Sequence, residues 1–318
     1  MKNVVLFGLA VVMLPGFVSR AGAAAVPPAY DHVVIVIEEN KSYAEIIGNL
    51  GGAPYINSLA SQGALMTNSY AIEHPSEPNY LDLFSGANQG VTDDGKHTPP
   101  AFTTANLGAA LVAKGYTFGG YSETLPSAGS DVDSATTVSG QNQYVRKHNP
   151  WVNWQGSGSN GIPAADNMPF TSFTSSSYAS LPKVSFVVPN EQNDMHDGSI
   201  SQADTWLNTN LSGYATWAKT NNSLLLVTWD EDDGSQGNKI ATIFYGANVN
   251  TGQFAESINH YNVLRTVEDM YGLQYAGASA TATPITDVFA VPEPSTLALA
   301  AAGLVALCGI AWRKRRAG

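Results

Sequence analysis

The chain has 318 residues, with 15 lysines and arginines against 26 aspartates and glutamates, for a formal net charge of −11. Six of the basic residues lie near the two ends, so the central part of the chain is more acidic still. Such a charge argues against nucleic acid or an anionic membrane surface as a partner. The one cysteine, Cys308, lies close to the C-terminus, so no disulfide can hold the central part together.

Residues 1–25 have the pattern of a secretory signal peptide. Lys2 is followed by an apolar run over residues 4–18 and then by small residues around Gly22. No polar face interrupts the run, which argues against a buried helix of the folded domain. The pattern predicts export to the periplasm, the cell surface or the medium.

Residues 26–290 predict one large α/β domain, in which strands alternate with helices. The run from Val33 to Ile37 suits a strand buried on both faces, and residues 54–62 have helical spacing that ends at Gly63. Residues 127–169, rich in Ser, Gly and Asn, predict a long functional excursion. The remaining elements follow in chain order: strand 64–71, helix 77–85, helix 106–114, strand 117–122, strand 184–189, helix 203–220 (which Ser212-Gly213 would allow to break), strands 223–228 and 240–245, and helix 261–271. This alternation implies a mainly parallel sheet with helices on both faces.

Residues 291–318, the C-terminal tail, have three parts in order. Val291-Pro292-Glu293-Pro294 precedes an uncharged apolar stretch over residues 295–312, and four basic residues follow it. The stretch can just span a bilayer, with the basic cluster on the cytoplasmic side. The tail resembles the PEP-CTERM sorting signal. This resemblance implies transient membrane anchoring and removal of the tail by an exosortase; a permanent anchor is the alternative.

Oxygen-bearing side chains follow two of the predicted strands. The first strand runs into Glu39 and Asn40, and strand 223–228 is followed by an acidic run that begins with Asp230 and Glu231. The carboxyl ends of parallel strands meet at one edge of a sheet, where ligands bind. These oxygens could hold a divalent cation there, although strand-end caps and solvated turns use the same residue types.

Ser76 stands where the second strand passes into a helix, within the segment HPSEPNY at residues 74–80. A hydroxyl at a helix N-terminus lies at the positive end of the helix dipole, which stabilises anions and alkoxides. This placement makes Ser76 a candidate nucleophile. The alternative is an ordinary helix cap.

Three histidines lie in loops: His148 in the excursion, His196 after strand 184–189, and His260 ahead of the last helix. Imidazoles can bind phosphoryl oxygens, bind metal or protonate a leaving group. A lone histidine is more often structural, but three beside predicted strand ends and loops indicate a site.

Four segments in order resemble the bacterial phosphoesterase family, which contains acid phosphatases and phospholipases C within the alkaline-phosphatase superfamily: HPSEPNYLDLFSG, YVRKHNPW, NDMHDGS and VTWDEDDG. The resemblance implies an alkaline-phosphatase-like α/β/α sandwich with a mainly parallel central sheet. It implies that Ser76 is the nucleophile, and it implies further roles for the following residues: Glu39, Asn40, Ser76, Asp230 and Glu231 on the metal, and Asn40, His148, His196 and His260 around the phosphate. Many relatives have a cysteine pair where Gln192 and Gly198 stand, which predicts a less constrained loop here.

The sequence therefore predicts an exported, metal-dependent phosphoric ester hydrolase of the acid-phosphatase type, with a phosphoserine intermediate. His196 or His260 would protonate the leaving group. One divalent ion is expected per chain, with protonated His196 and His260 balancing the phosphate at mildly acid pH. A second ion would need Asp194, His196 and His260 as ligands and would favour alkaline pH. The alternatives are a phospholipase C-type phosphodiesterase and a catalytically silent matrix protein.

Overall fold

A computed structural model describes residues 26–97, 102–136 and 142–290. The predicted signal peptide and the C-terminal tail, including its predicted transmembrane stretch, lie outside the described residues. Within the described ranges, no helix is long and apolar enough to cross a membrane.

The described residues contain eleven β-strands. In chain order they are β1 (His32–Glu38), β2 (Ala64–Tyr70), β3 (Phe118–Ser122), β4 (Ser134–Thr136), β5 (Asn142–Val145), β6 (Asn167–Pro169), β7 (Val184–Val188), β8 (Ser223–Trp229), β9 (Lys239–Gly246), β10 (Gly252–Phe254) and β11 (Ile258–Asn259).

Six α-helices connect or cover these strands. They are α1 (Tyr43–Ile46), α2 (Pro54–Gln62), α3 (Ser76–Ser85), α4 (Leu107–Ala113), α5 (Ile200–Ala218) and α6 (His260–Tyr271). The excursion adds short 3-10 turns, of which Arg146–His148 bears on the site.

The main sheet has the strand order β10-β2-β9-β8-β1-β7-β3-β6, and β11 also pairs with β2. Only β9 runs antiparallel to its neighbours among the described strands of this sheet, so the predicted mainly parallel sheet is confirmed. β1 and β8 pair in register from His32 opposite Ser223 to Glu38 opposite Trp229. The residues that follow the two strands therefore leave the sheet side by side, at what we call the carboxyl edge.

Helices cover both faces of the sheet. Val33, Ile35 and Ile37 of β1 point into a core shared with α3, α4 and α6. Val34 and Val36 point into a second core, shared with α2 and α5. The continuous apolar run of β1 reflects this burial on both sides, and the predicted three-layer α/β/α sandwich is confirmed.

Helix α3 is buried along its whole length and begins at Ser76 itself, one residue before the predicted start. Gly86 ends it in the left-handed conformation, with φ of 69°. A Cβ atom at Gly86 would lie 2.0 Å from the carbonyl oxygen of Ala276. Glycine is therefore required twice at this position, once for its backbone angle and once for the close approach. The backbone angle and the close contact together determine where α3 ends.

Helix α5 differs from its prediction. It begins at Ile200, with Ser199 as its N-cap, and continues without a break through Ser212 and Gly213. Leu211 and Tyr214 on either side are fully buried in the core. Their packing outweighs the weak helix propensity of serine and glycine on the outer face.

Candidate active site

Three segments bring their side chains together at the carboxyl edge. Glu39 and Asn40 follow β1, and Glu231 follows β8. Ser76 is the first residue of α3, which follows β2 after a short turn. Ser76 Oγ lies 3.1 Å from Glu39 Oε2, 3.2 Å from Glu231 Oε1 and 3.4 Å from Asn40 Oδ1. Asp230 joins them, because its Oδ1 accepts a hydrogen bond of 3.1 Å from the Asn40 backbone N–H. The five residues predicted as metal ligands therefore form one cluster.

The carboxylates of this cluster are buried close to one another. Burial, followed by the charges of Asp230 and Asp194, raises the pKa of Glu39 well above its ordinary value. Burial and the neighbouring charge of Glu231 raise the pKa of Asp230 to about 7. Burial also raises the pKa of Glu231 to about 7. Carboxylates crowded in this way need a compensating positive charge if they are to be ionised at neutral pH.

The atoms around Ser76 suit a hard cation. One hydroxyl hydrogen can serve only one of the three acceptor oxygens within 3.4 Å of Ser76 Oγ, whereas a cation would interact with all of them. The Asn40 amide lies beside Glu39 Oε2 and Asp230 Oδ1, at 2.9 Å and 3.3 Å when its nitrogen is turned toward them. A cation would favour the opposite orientation, with the amide oxygen inward. Carboxylate, amide and hydroxyl oxygens are the ligands that Mg²⁺, Ca²⁺ and Mn²⁺ prefer.

His148 and His196 extend the site to one side of Glu39. His148 Nε2 lies 3.2 Å from Glu39 Oε1, and its Nδ1 lies 3.4 Å from Asp194 Oδ2. Burial, followed by the charges of Lys147 and His196, lowers the pKa of His148 well below its ordinary value. The His196 ring centre is 5.7 Å from that of His148, and its side chain is 28% exposed. His196 therefore lies at the open side of the site and His148 at its buried side.

Glu39, His148 and His196 also form a group that could hold a metal ion. One ligand atom from each lies within 4.8 Å of the other two, the single such group of three histidine, cysteine or acidic residues in the described part of the chain. This set differs from the one that we expected for a second ion, because Glu39 and His148 stand in place of Asp194 and His260.

His260 lies behind Asp230. Its Nε2 atom is 2.7 Å from the Asp230 carbonyl oxygen, and the ring is buried. Burial lowers the pKa of His260 to about 4. The ring is therefore neutral at the mildly acid pH at which we expected it to be protonated, and its hydrogen bond supports the backbone of a predicted ligand.

Several contacts of the site were not predicted. The Tyr80 hydroxyl donates a short hydrogen bond to Glu39 Oε1, and His74 Nδ1 lies 2.5 Å from Glu231 Oε2. Tyr80 lies four residues after Ser76 on α3, a helical spacing that could have revealed their common face. Lys147 lies in the segment YVRKHNPW, but the sequence alone indicated no role for it. Its partner Asp94 lies in a loop, and no sequence signal pointed to it.

The loop that contains His196 is closed without a disulfide. A Cβ atom at Gly198 would lie 1.8 Å from the Gln192 carbonyl oxygen, so the two positions are adjacent. The backbone N–H groups of Asp197 and Gly198 both donate to the Glu191 carbonyl, at 2.8 and 3.3 Å. These hydrogen bonds close the loop in the absence of a disulfide, and the lower constraint relative to a disulfide-bonded loop stays a prediction.

Comparisons with known proteins agree with this geometry. A model of the Phosphoesterase family matches residues 51–274. A phosphatidylinositol-3-phosphatase of Mycobacterium tuberculosis is 53% identical over 278 residues, which cover 86% of this chain and 88% of that protein. This chain belongs to the phosphoesterase family. The predicted hydrolase of phosphate esters is thereby confirmed.

More distant relatives have the same type of activity in their names. An acid phosphatase of Aspergillus fumigatus is 33% identical over 227 residues, which cover 69% of this chain and 51% of that protein. The chain thus spans about half the length of this fungal phosphatase. A model of the PEP-CTERM protein-sorting motif matches residues 290–316, which confirms the predicted sorting signal and implies export to the cell envelope.

Solved structures share the fold at low sequence identity. A Vibrio parahaemolyticus protein of the alkaline phosphatase superfamily has a TM-score of 0.56 and 12% identity, covering 82% of this chain and 72% of that one. A lipoteichoic acid synthase of Listeria monocytogenes has a TM-score of 0.51 and 9% identity, covering 83% of this chain and 75% of that one. The predicted alkaline-phosphatase-like fold of this phosphoesterase is confirmed.

Proposed function

We propose that this phosphoesterase is an exported, metal-dependent phosphomonoesterase that acts through Ser76. The observation that supports this most directly is the position of Ser76 Oγ, 3.1 to 3.4 Å from oxygens of Glu39, Asn40 and Glu231 at the N-terminus of a buried helix. A divalent cation held by these residues and Asp230 would polarise the phosphoryl group and lower the pKa of the serine hydroxyl.

Ser76 would attack phosphorus in line with the leaving alcohol. Its Oγ forms a bond to phosphorus as the bond to the ester oxygen breaks, and its proton passes to a neighbouring carboxylate such as Glu231. Ser76 lies at the positive end of the α3 helix dipole, which would stabilise the charge that develops on the phosphoryl oxygens. Water then attacks the phosphoserine and releases inorganic phosphate, which regenerates the Ser76 hydroxyl.

His196 suits the proton transfer to the leaving alcohol better than His260 does. It lies at the open side of the site, where an ester group would project into solvent, and its side chain is 28% exposed. His260 is fully buried against the Asp230 carbonyl. His196 is thus the proton donor in this proposal, and His260 a positioning residue for Asp230.

Turnover of p-nitrophenyl phosphate by the purified domain tests the proposal. We expect hydrolysis that is lost after chelation and recovered when Mg²⁺, Mn²⁺ or Ca²⁺ is added back. Bis-p-nitrophenyl phosphate serves as the matched diester. Faster hydrolysis of the diester would favour a phospholipase C-type enzyme, and no turnover of either ester with any of these ions would favour a silent matrix protein.

A phosphoinositide headgroup is a second candidate substrate, because the Mycobacterium tuberculosis relative of 53% identity is named a phosphatidylinositol-3-phosphatase. Both candidates are phosphate monoesters. They differ in whether the substrate is dissolved or part of a membrane, and the position of Ala290, where the described part of the chain ends, bears on that difference.

The described part of the chain ends at Ala290, at the edge of the sheet opposite the carboxyl edge. The Ala290 backbone N–H donates to the Asn248 carbonyl at 2.8 Å, and the Ala247 N–H donates to the Ser223 carbonyl at 3.0 Å, at the start of β8. The proposed ligands follow the other end of β8, seven residues away, or about 23 Å. The apolar stretch begins five residues after Ala290, a distance of at most about 18 Å. An anchored enzyme would therefore turn its site away from its own membrane, which favours dissolved monoesters.

This orientation predicts how anchoring affects lipid hydrolysis. In vesicles that contain phosphatidylinositol 3-phosphate, we expect the tail-bearing protein to cleave p-nitrophenyl phosphate as fast as the domain without its tail. We expect no gain from anchoring in the hydrolysis of the lipid, although anchoring raises its effective concentration. A gain of about tenfold or more over the untethered domain would contradict the orientation.

A further inference from the structure

Lys147 brings a positive charge to the open side of the site. Its Nζ atom lies 3.5 Å from His196 Nε2 and 3.0 Å from Asp94 Oδ2, and its side chain is 16% exposed. The two basic neighbours in the same 3-10 turn are engaged elsewhere, since Arg146 contacts Asp131 and His148 contacts the buried carboxylates. Lys147 is thus the basic residue of this turn whose charge lies beside His196, at the open side of the site.

Asp94 holds Lys147 in a defined place relative to the nucleophile. One carboxylate oxygen, Oδ2, pairs with the Lys147 ammonium at 3.0 Å. The other, Oδ1, accepts a hydrogen bond of 3.0 Å from the backbone N–H of Glu77, the residue after Ser76. The same carboxylate therefore ties the lysine to the first turn of the helix that begins with Ser76.

The negative charge of the site, once substrate is bound, would exceed the positive charge of one divalent ion. A phosphate monoester adds two negative charges to a cluster that already contains four buried carboxylates: Glu39, Asp194, Asp230 and Glu231. A single divalent ion offsets only part of this charge. His148 contacts Glu39 and Asp194, and His260 contacts the Asp230 carbonyl, so both rings are engaged with oxygens of the protein itself. An ammonium group beside His196 adds a positive charge where the phosphoryl oxygens would lie.

We propose that the Lys147 ammonium binds the non-bridging oxygens of the substrate phosphoryl group and that Asp94 positions it. The inference rests on the proposed phosphomonoesterase function. Lys147 lies beside His196 of the group Glu39, His148 and His196, so it would supply there the positive charge that a second metal ion would otherwise supply.

The test measures phosphate affinity directly, by calorimetric titration of the metal-loaded protein with inorganic phosphate. Lys147→Met, which keeps the length of the side chain, is expected to weaken phosphate binding about 10- to 100-fold. Lys147→Arg keeps the charge and is expected to remain within about threefold of wild type. Lys114→Met is the matched control, because Lys114 bonds a backbone carbonyl on an exposed surface. Metal content and melting temperature should be unchanged in all three variants.

Asp94→Asn separates positioning from simple structural support. Asparagine can still accept from the Glu77 N–H but cannot pair with the ammonium. We expect KM for p-nitrophenyl phosphate to rise about fivefold or more with a smaller change in kcat. If Asp94 acts through the lysine, the change has little further effect in a Lys147→Met background, so the two effects are not additive.

Three results would overturn the inference: Lys147→Met that binds phosphate as tightly as wild type, additive effects of the two substitutions, or wild-type protein that does not bind phosphate. The calorimetric measurement needs no turnover. A Ser76→Ala variant with full activity would therefore sink the proposed mechanism while leaving the phosphate-binding result to be judged by itself.

Discussion

Replacement of Ser76 by alanine is expected to lower kcat by about a thousandfold or more, because it removes the covalent route through phosphoserine. The change deletes one oxygen in contact with Glu39 and Glu231, and it leaves the oxygens of the other proposed ligands in place. We therefore expect the variant to fold and to retain metal. Steady-state rates with p-nitrophenyl phosphate, together with elemental analysis, measure both outcomes.

Ser85→Ala is the matched control for this substitution. Ser85 is equally buried at the other end of α3, where its hydroxyl bonds the Leu81 and Ala87 carbonyls. Any loss of stability that comes from removing a buried serine from this helix should also appear in Ser85→Ala. The loss of turnover should not appear in that variant. Acid quenching during turnover should trap a phosphoryl group on wild-type protein and none on Ser76→Ala. Activity of Ser76→Ala within about tenfold of wild type would reject the nucleophile assignment.

The core of the proposed site could be predicted because the pairing of two parallel strands determines which residues lie side by side. β1 and β8 are recognisable as continuous apolar runs, and once they pair in parallel their next residues must lie side by side. Glu39, Asn40 and Asp230 therefore converge with little help from the rest of the chain. Ser76 joins them for a similar local reason, since a strand-to-helix transition can be read from the sequence.

The outer parts of the site could not be predicted, because they depend on side-chain directions and loop paths. Nothing in the sequence near Asp94 indicates that its loop reaches Lys147 and the N-terminus of α3. His260 and His196 have similar local surroundings in the sequence, yet one ring turns to a backbone carbonyl and the other toward solvent. Burial then makes the two rings different, because it lowers the pKa of the buried His260.

Asp230→Asn and Glu39→Gln are expected to lower metal content from about one ion per chain to nearly none after dialysis, with a loss of activity of about a hundredfold or more. Both changes keep the shape of the side chain, and an asparagine at 230 can still accept from the Asn40 N–H. Asp233→Asn is the matched control from the same acidic run, because Asp233 is exposed and bonds only Ser235 and its backbone. Its metal content and rate should equal those of wild type.

The stability of the metal-free protein supplies a readout that does not involve activity. Burial raises the pKa of Asp230 to about 7, so the folded state favours the protonated carboxyl more than the unfolded state does. Its contribution to stability is complete below the unfolded pKa of about 4 and is lost as pH rises toward 7. Metal-free Asp230→Asn should therefore be more stable than metal-free wild type at pH 8, by up to about 4 kcal/mol for a shift of about three pKa units, and the difference should shrink at pH 4. Denaturant unfolding at the two pH values measures it.

The metal count of the wild-type protein decides between one ion and two. A single ion at Ser76 should be lost in both substitutions, since Asp230 and Glu39 are both proposed ligands. An ion bound by Glu39, His148 and His196 would instead survive Asp230→Asn and be lost in Glu39→Gln. Two ions per chain in wild type, one in Asp230→Asn, and maximal activity well above neutral pH would overturn the one-metal assignment. His148 and His196 would then be metal ligands, because coordination requires neutral imidazole.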